Sequence, residues 1–594
     1  MAKPRHYKYV IIGCGPGGIQ MAYFLERSGR DYLVVERRER PASFFETYPR
    51  HRRLISLNKK YNYFDEDEFN MRHDWNSLLS DDPALRFTRY SDDLFPHADK
   101  LVEYFRDYVD RTGINVRYRT DVVSIGRDES GRFRLETASN DVLTCDVLML
   151  GLGAVEPAIP DIEGIELAIG YEDHELDREK YVNKRVGIIG QGNSAFETAD
   201  HLAGVAAFVN ILTKGPVRFA WETHFVGDVR AINNNTFDMY QLKSLHAVLS
   251  PRLLKIEHGP DGALRTTHEY DYPDSPIPGT LRLTRDYDVI IRCCGWKWVN
   301  RSLFAPDIAP ETWSDGKYPA LTAAWESVNV PDMYFIGGAM QGNDRKSASG
   351  FLHGFRYNVQ TLARLLESKY EGVGYPCVRM AAFVWDEFAD YVYRRVSTSA
   401  ALFQLFGTLC DLIVVDDDQV TVYPELPVRY ADSIEVGDGH AFVLTLEFGF
   451  ERYRESSLAF TGPSDPNTPS CAAFLHPVIR YRRHGAADEF HFGDSLLVRW
   501  DRPHDVGGAV VSYHRDFQRW VCEKLGRVDD ESEQSDDIPN GPFRRWTEQE
   551  IESWRDHAGA MATSSGGSCT NALRSLPHEE RADVAMGRDH GAIS

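Results

Sequence analysis

Two glycine-rich runs are the parts of this sequence whose residue types and spacing could do chemistry. The first is Gly13-Cys14-Gly15-Pro16-Gly17-Gly18, and an acid follows it about 20 positions later. In a Gly-x-Gly-x-x-Gly turn, the first glycine makes the tight turn, the second lets the backbone approach a pyrophosphate, and the third lets helix and strand pack. The later acid accepts hydrogen bonds from ribose hydroxyls. The run therefore predicts a dinucleotide site formed by Gly13, Gly15, Gly18 and Glu36.

The second run has the same form but is followed by cations where the first has an acid. Lys214 and Arg218 come after its next strand pattern. A cation there suits a ribose 2′-phosphate, which an acid would repel, so the sequence favours NADPH over NADH. The alternative is that Lys214 only solvates the end of a strand. Predicted contacts from the run itself are Gly190, Gly192, Asn193, Ser194 and Ala195.

Strand and helix patterns surround each glycine run in the order that a dinucleotide site needs. Buried-strand patterns lead into the runs, helical patterns follow, and a second strand pattern comes after each helix. The N-terminus of each helix then faces the phosphates. Two such units predict two dinucleotides: FAD at the first site, and at the second the NADPH that reduces it. The strand patterns lie at residues 9–12, 32–35, 185–189 and 208–212.

A third strand pattern closes the first site. It ends in Gly337 and is followed by Gly350 and a helical pattern. A helix so placed directs its N-terminal dipole at the flavin pyrimidine and stabilises negative charge on the reduced ring. We therefore predict Gly337 and Gly350 as further cofactor-binding residues. The strand-to-glycine segments 146–153 and 288–296 resemble the crossovers that link FAD and NADPH domains.

These elements predict an α/β fold with two Rossmann-type dinucleotide-binding domains, one for FAD and one for NADPH, followed by a C-terminal α+β extension. The FAD domain is discontinuous because the third strand returns to it after the NADPH domain. A block of like charges near residue 530 predicts a solvated, largely disordered tail. The predicted domains are residues 1–165 with 285–370 for FAD, 166–284 for NADPH, 371–527 for the extension and 528–594 for the tail.

Composition argues against some classes of partner. The 594 residues hold 67 Lys and Arg against 89 Asp and Glu, a net charge of −22, whereas nucleic acids and anionic membranes need a basic footprint. Nine cysteines without a Cys-x-x-Cys pair predict neither a disulfide framework nor a metal site. The apolar stretch 9–12 is too short for a signal peptide, and residues 591–594 are no retention signal. We expect a cytoplasmic protein, with homo-oligomerisation left open.

Several longer runs resemble a known family. The chain resembles the FAD-dependent oxidoreductase domain-containing family, flavoproteins of the endoplasmic reticulum lumen, over about residues 5–525. We do not expect the subcellular location of that family for this chain, because the sequence shows neither a signal peptide nor a retention signal. The runs that carry the likeness are YPRHRRLIS (48–56), HDWNSLLSDDP (73–83), GDVRAINN (227–234), YQLKSL (240–245), GFLHGFRY (350–357) and, more weakly, FLHPVI (474–479).

The resemblance implies a fold and an activity. The fold is similar to two-dinucleotide flavoproteins of the flavin-monooxygenase type, whose soluble bacterial relatives include N-hydroxylating enzymes of natural-product pathways, among them those that oxidise aspartate to nitrosuccinate. We therefore expect an NADPH-dependent flavin monooxygenase for antibiotic biosynthesis. It would hydroxylate the amine of a small amino acid, with aspartate as a candidate, through a flavin C4a-hydroperoxide. Its partners would be that amine and O2.

Charged residues in unusual places are the candidates for catalysis and substrate binding. Arg292 ends a buried strand pattern, and Asn58 and Lys59 follow an apolar run where related enzymes approach the flavin. We predict these three as catalytic residues. The alternatives are a structural ion pair for Arg292 and an exposed loop for Lys59. As substrate-binding residues we predict Lys59, His224, Arg230 and Arg292.

A second function remains open on the sequence. The adjacent pair Cys293-Cys294 could form the redox-active dithiol of an FAD-dependent thiol–disulfide oxidoreductase. Vicinal disulfides are strained, and small residues at these positions could simply fill the second crossover.

Overall fold

The computed structural model describes residues 5–62, 64–241, 244–272, 279–417, 419–448, 475–492 and 514–527. They divide into two compact units. The first takes its described residues from 5–60 and 74–359, and the second from 61–73 and 360–527. The division falls within the long helix Leu352–Glu371. The acidic tail predicted at 528–594 lies outside the described residues.

A seven-stranded sheet carries the first glycine run. Its central strand, Arg5–Ile12, pairs in parallel with Tyr32–Val35 on one side and Val142–Leu150 on the other. The apolar residues from Tyr9 to Ile12 are all buried, as expected for a parallel sheet covered on both faces. The remaining strands are Val116–Arg117, Val122–Arg127, Phe133–Thr137 and Met333–Phe335.

A five-stranded parallel sheet carries the second glycine run. The run follows the strand Arg185–Ile189, which lies between Phe208–Leu212 and Val289–Arg292. Its core combines β-branched side chains of these strands, such as Ile188 and Ile211, with apolar residues of the following helix, such as Phe196. The two outer strands are Ala247–Leu249 and Ile169–Gly170. A three-stranded antiparallel arm adjoins it, with strands Arg252–His258, Leu264–Tyr272 and Gly279–Tyr287.

Helices in the first unit pack an apolar face on these sheets. Ala98–Thr112 buries its aromatic side, including Tyr104, Phe105 and Tyr108, and ends at Gly113 in the left-handed conformation. The helices Pro16–Arg27 and Asn193–Ala203 begin directly after the glycine runs. Shorter helices are Phe44–Thr47, Ala220–Thr223 and Asn235–Gln241.

The second unit is a six-stranded antiparallel sheet with helices. A buried ion-pair group lies inside it: Arg395 Nε donates to Asp411 at 2.6 Å, and its Nη2 lies 3.2 Å from Glu425. A buried charge needs such partners. In spatial order the strands are Val378–Met380, Gln419–Pro427, Leu409–Asp416, His440–Glu447, His476–Arg483 and Ala486–His491. The helices are Asp67–Asn70, Trp385–Thr398, Ala400–Gln404, Val428–Asp432 and His514–Leu525.

The predicted fold class is confirmed. Two parallel sheets each carry a strand–glycine turn–helix unit, and the later residues form an α+β unit. The exact boundaries of the predicted domains stay predictions. Within the described part of the chain, no helix is long and apolar enough to cross a membrane.

Candidate active site

The first glycine run leaves no room for a Cβ at three of its positions, Gly13, Gly17 and Gly18. Gly13 has a φ of +101°, and a Cβ there would overlap the carbonyl oxygen of Gly151. A Cβ on Gly18 would overlap the carbonyl oxygen of Gly13. Gly15 differs, since no described atom lies within 4 Å of the Cβ position, so its face is open to a ligand. No side chain caps the helix Pro16–Arg27, which leaves its first amides available to a pyrophosphate.

Glu36 is fixed beside this turn. It is only 7% exposed, and its two carboxylate oxygens accept the backbone N–H groups of Cys14 at 2.8 Å and Arg38 at 2.9 Å. Each oxygen keeps a further lone pair for a ribose hydroxyl. Burial, with the nearby Glu36, raises the pKa of the Cys14 thiol, which therefore stays neutral under the turn. This geometry fits the adenosine half of FAD.

Gly337 follows the strand Met333–Phe335 of the same sheet and lies against the first turn. A Cβ on Gly17, in that turn, would come within 2.5 Å of the Gly337 Cα, so the two backbones are in close contact. One residue separates Gly350 from the helix Leu352–Glu371, and a Cβ on Gly350 would come within 2.8 Å of the Gln341 side chain. Both predicted residues are thus closely packed.

The second glycine run repeats the turn. A Cβ on Gly190 would overlap the carbonyl oxygen of Cys293, whereas no described atom lies within 4 Å of the Cβ position on Gly192. Gly192 is the N-cap residue of the helix Asn193–Ala203, and no side chain caps the first amides of this helix. Ala195 is fully buried in the core beneath the turn. The open face at Gly192 and the uncapped amides fit a second pyrophosphate.

Asn193 has a structural task in addition to its predicted one. Its Nδ2 donates to the carbonyl oxygen of Asp228 at 2.9 Å. Its Oδ1 accepts the backbone N–H of Arg230 and the Nδ2 of Asn233, both at 2.9 Å. The first residue of the helix therefore holds the segment 227–233 beside the second glycine run.

The two cations predicted at the ribose phosphate differ in their surroundings. Arg218 Nη2 lies 3.2 Å from Asp228 Oδ2, so its charge is already compensated. Lys214 is exposed directly beyond the strand Phe208–Leu212, and it forms no ion pair with any residue that the structure describes. Lys214 is therefore the cation available to a 2′-phosphate.

A small cleft adjoins the second glycine run. Arg292 lies in it with its Nη2 3.0 Å from Glu172 Oε1, and the side chains are 10% and 18% exposed respectively. Arg292 therefore forms the structural ion pair that the sequence analysis gave as the alternative to a catalytic role, and its charge is neutralised. The cleft is lined by Pro157, Tyr171, Glu172, Ser194, Arg292, Cys293, Cys294, Gly295 and Trp296.

Burial raises the pKa values of the two thiols that line this cleft and of the nearby Glu197. The seven described cysteines are free thiols. Burial raises the pKa of Cys293 far above its usual range and that of Cys294 to about 11. Burial also raises the pKa of Glu197 to about 7, although the hydroxyl of Tyr171 donates to its carboxylate. Glu197 was not predicted from the sequence. Its only signal there is an acid on the buried side of the helix Asn193–Ala203.

Asn58 and Lys59 are not joined by any contact to Arg292 within the described part of the chain. Asn58 is buried, and its Nδ2 donates to the carbonyl oxygens of Ser91 at 2.7 Å and Asp93 at 3.2 Å. Lys59 is exposed, as the loop alternative predicts. These contacts give Asn58 a structural task, and catalytic roles for both residues stay predictions.

Arg230 lies in the segment 227–233 beside the second run, and His224 directly follows the short helix Ala220–Thr223. The Arg230 guanidinium lies 4.6 Å above the ring of Trp75, and burial lowers its pKa to about 10. Trp75 stacks on His353 with ring centroids 4.2 Å apart. Burial lowers the pKa of His224 to about 4, so this imidazole is neutral. Sequence reasoning missed Trp75 and His353, although both lie in runs that carry the family resemblance.

The fold and the two glycine sites define a two-dinucleotide flavoprotein. A family model described as pyridine nucleotide-disulphide oxidoreductase matches residues 10–337, more than half of the chain. The mouse (Mus musculus) FAD-dependent oxidoreductase domain-containing protein 2 is 37% identical over 520 residues, covering 81% of this chain and 76% of the relative. The chain belongs to the family of this relative. It is an FAD-dependent oxidoreductase that binds FAD and NADP, which confirms the predicted cofactors.

Solved structures show more distant likenesses. A flavin-containing monooxygenase from Stenotrophomonas maltophilia is 18% identical with a TM-score of 0.47, covering 61% of this chain and 99% of that one. An ornithine N-hydroxylase from Kutzneria sp. 744 is 14% identical with a TM-score of 0.44, covering 61% and 99%. The predicted resemblance to the FAD-dependent oxidoreductase family is confirmed, whereas the one to N-hydroxylating enzymes extends only to this distant structural likeness.

Proposed function

We propose that the protein is an NADPH-dependent flavin monooxygenase that oxidises the amine nitrogen of a small amino acid, with aspartate as the first candidate. The observation that carries this proposal is the state of the cleft beside the second glycine run. Its two thiols are held neutral by burial, so they are poor nucleophiles, because the thiolate is the reactive form. With no ionised dithiol in the cleft, oxygen is the acceptor that we propose for electrons from NADPH.

The chain's own residues bind and orient the reactants. Uncapped helix amides after Gly15 and Gly192 hold the two pyrophosphates, and Glu36 holds a ribose. A flavin held by these residues would supply the redox chemistry: NADPH would be oxidised and O2 reduced, with one oxygen atom entering the amine product and the other leaving as water. The protein must also keep the amine neutral and exclude water.

A specific observation keeps the thiol–disulfide oxidoreductase as a second candidate. Cys293 and Cys294 are adjacent, and both line the cleft that contains Ser194 of the second run. This function requires at least one of them to ionise near neutral pH. Their raised pKa values weigh against it, so we rank it below the monooxygenase.

The test is a screen of NADPH consumption over amino acids with hydrogen peroxide measured in parallel. A substrate should accelerate consumption, lower the peroxide formed per NADPH and yield a product heavier by oxygen in mass spectrometry. A small disulfide serves as the competing acceptor under the same conditions. The monooxygenase would be contradicted if every amine gave one hydrogen peroxide per NADPH consumed and if the disulfide were reduced. A setting in natural-product biosynthesis rests on the sequence resemblance alone.

A further inference from the structure

We infer that Arg230 binds an anionic oxygen group in a subsite between the two dinucleotide sites. Two sources share this chemistry: the carboxylate of a small acidic substrate and a phosphate of the nicotinamide nucleotide. The carboxylate source rests on the proposed function, whereas the phosphate source does not.

The charge of Arg230 is the first reason. The residue is only 9% exposed, and it forms no ion pair with any residue in the described ranges. Other shielded arginines have acceptors within the chain: Arg292 and Arg395 lie beside carboxylates, and Arg356 donates to the backbone carbonyl oxygens of Asp74 and Ser77. Burying a charge without a partner is costly, so a partner is expected from outside the chain. An anionic ligand supplies it.

The position of Arg230 is the second reason. Its backbone N–H donates to Asn193, the first residue of the helix that follows the second glycine run. Its guanidinium reaches Trp75, which stacks on His353, the second residue of the helix Leu352–Glu371 beside the first site. The side chain therefore extends from one dinucleotide site to the other. A ligand bound there would lie where the nicotinamide, the flavin and a substrate must meet.

The aromatic contact of the guanidinium is the third reason. Its central carbon lies 4.6 Å from the centroid of the Trp75 ring, and this cation–π contact restricts the side chain. A stacked guanidinium keeps its N–H groups in the plane parallel to the ring, where two of them can bind both oxygens of a carboxylate or phosphate. His353 is neutral, because burial lowers its pKa well below the usual range, so it adds no second positive charge. The subsite thus offers the directional donors of Arg230.

The test measures binding without turnover. FAD-loaded protein is titrated with NADP⁺ and, separately, with succinate, and the change of the flavin absorbance gives each Kd. Arg230→Gln should raise the Kd of one of these ligands by about tenfold or more, because a charge-assisted hydrogen bond is lost. Weakened succinate binding assigns the carboxylate, and weakened NADP⁺ binding assigns the phosphate. Arg127→Gln is the matched control. Arg127 ends the outer strand Val122–Arg127, away from both glycine runs, and its guanidinium lies 4.2 Å from the centroid of the Phe133 ring.

Arg230→Lys decides the matter if Arg230→Gln fails to fold. It keeps the charge and loses the two-pronged donor, so the affected Kd should rise by about threefold or more. Unchanged Kd values for both ligands in either folded variant overturn the inference, as does a wild-type protein that binds neither ligand. These results are independent of catalysis. A wild type that oxidises no amine would remove the proposed function and leave the binding result standing.

Discussion

The guanidinium of Arg292 lies 3.0 Å from the carboxylate of Glu172 inside the cleft beside the second glycine run. The two residues are 120 positions apart in the sequence. Their strands bring them together, because Val289–Arg292 pairs in parallel with Ile169–Gly170 and Glu172 follows directly. A residue that looks like an isolated cation in the sequence is therefore half of an ion pair in the fold.

This pair should contribute to stability. Arg292→Gln or Glu172→Gln alone leaves one shielded charge without its partner, and should lower the Tm by about 2–6 °C. The double variant should lose less than the sum of the two. Scanning calorimetry of the FAD-loaded proteins measures this, with the more exposed pair Lys100–Glu103 as control. Unchanged Tm values with a raised KM for the amine would instead support the predicted role of Arg292 in substrate binding.

Gly15 and Gly18 should respond differently to the same substitution. No described atom lies within 4 Å of the Cβ position on Gly15, so the Gly15→Ala protein should fold. Its affinity for FAD should fall by about tenfold or more, because the added methyl group blocks the pyrophosphate. Gly18→Ala overlaps the Gly13 carbonyl and should lower the Tm as well. Flavin absorbance per protein and thermal unfolding measure the two effects. Gly126→Ala, with only Ala305 Cβ at 3.9 Å, is the control, and normal FAD content in Gly15→Ala would contradict the assigned site.

Lys214 should decide between the two nicotinamide nucleotides. Lys214→Glu replaces the available cation by a charge that repels a 2′-phosphate, so kcat/KM for NADPH should fall by about tenfold while that for NADH changes little. Stopped-flow reduction of the flavin by each nucleotide measures the ratio. Arg218→Gln should have a smaller effect, because Arg218 is paired with Asp228. An unchanged ratio in Lys214→Glu would assign Lys214 to the solvated strand end.

The thiols of the cleft should be unreactive near neutral pH. The pKa of Cys294 is raised to about 11, so the thiol is neutral below this value and becomes a thiolate only as pH rises through it. Alkylation of Cys294 by iodoacetamide, followed by peptide mass spectrometry, should be slow at pH 7 and accelerate towards pH 11. Exposed Cys377 in the same sample is the control. The double variant Cys293→Ala, Cys294→Ala should retain turnover, and its loss with FAD still bound would favour the thiol–disulfide function.

Glu197 should make stability depend on pH. Its pKa is raised from 4.5 to about 7 in the folded state, chiefly by burial. The folded protein therefore holds this proton more tightly than the unfolded chain, and stability is lost as pH rises from about 4.5 to about 7. Glu197→Gln resembles the protonated form, so its Tm should exceed that of the wild type at pH 8 and approach it at pH 5. An equal Tm difference at both pH values would show that Glu197 does not titrate in this range.

The local units of the two dinucleotide sites could be predicted from the sequence. Gly13, Gly15, Gly18 and Glu36 form one strand–turn–helix–strand unit, and the same order recurs around Gly190 and Gly192. The spacing within such a unit is set by backbone geometry over a few residues, so it can be read along the chain. The family resemblance followed from longer runs, and it is confirmed over most of the chain.

The electrostatic state of the candidate site was decided by tertiary structure alone. Glu172 neutralises Arg292, Asp228 pairs with Arg218, and Trp75 lies beneath the guanidinium of Arg230, for which the described residues supply no carboxylate. Spacing predicted where these cations lie along the chain, and it did not predict which of them keep a free charge. The physical reason is that charge and pKa depend on burial and on partners within a few ångströms. Such partners often come from distant segments, which meet only through the order of strands in a sheet and the packing of its loops.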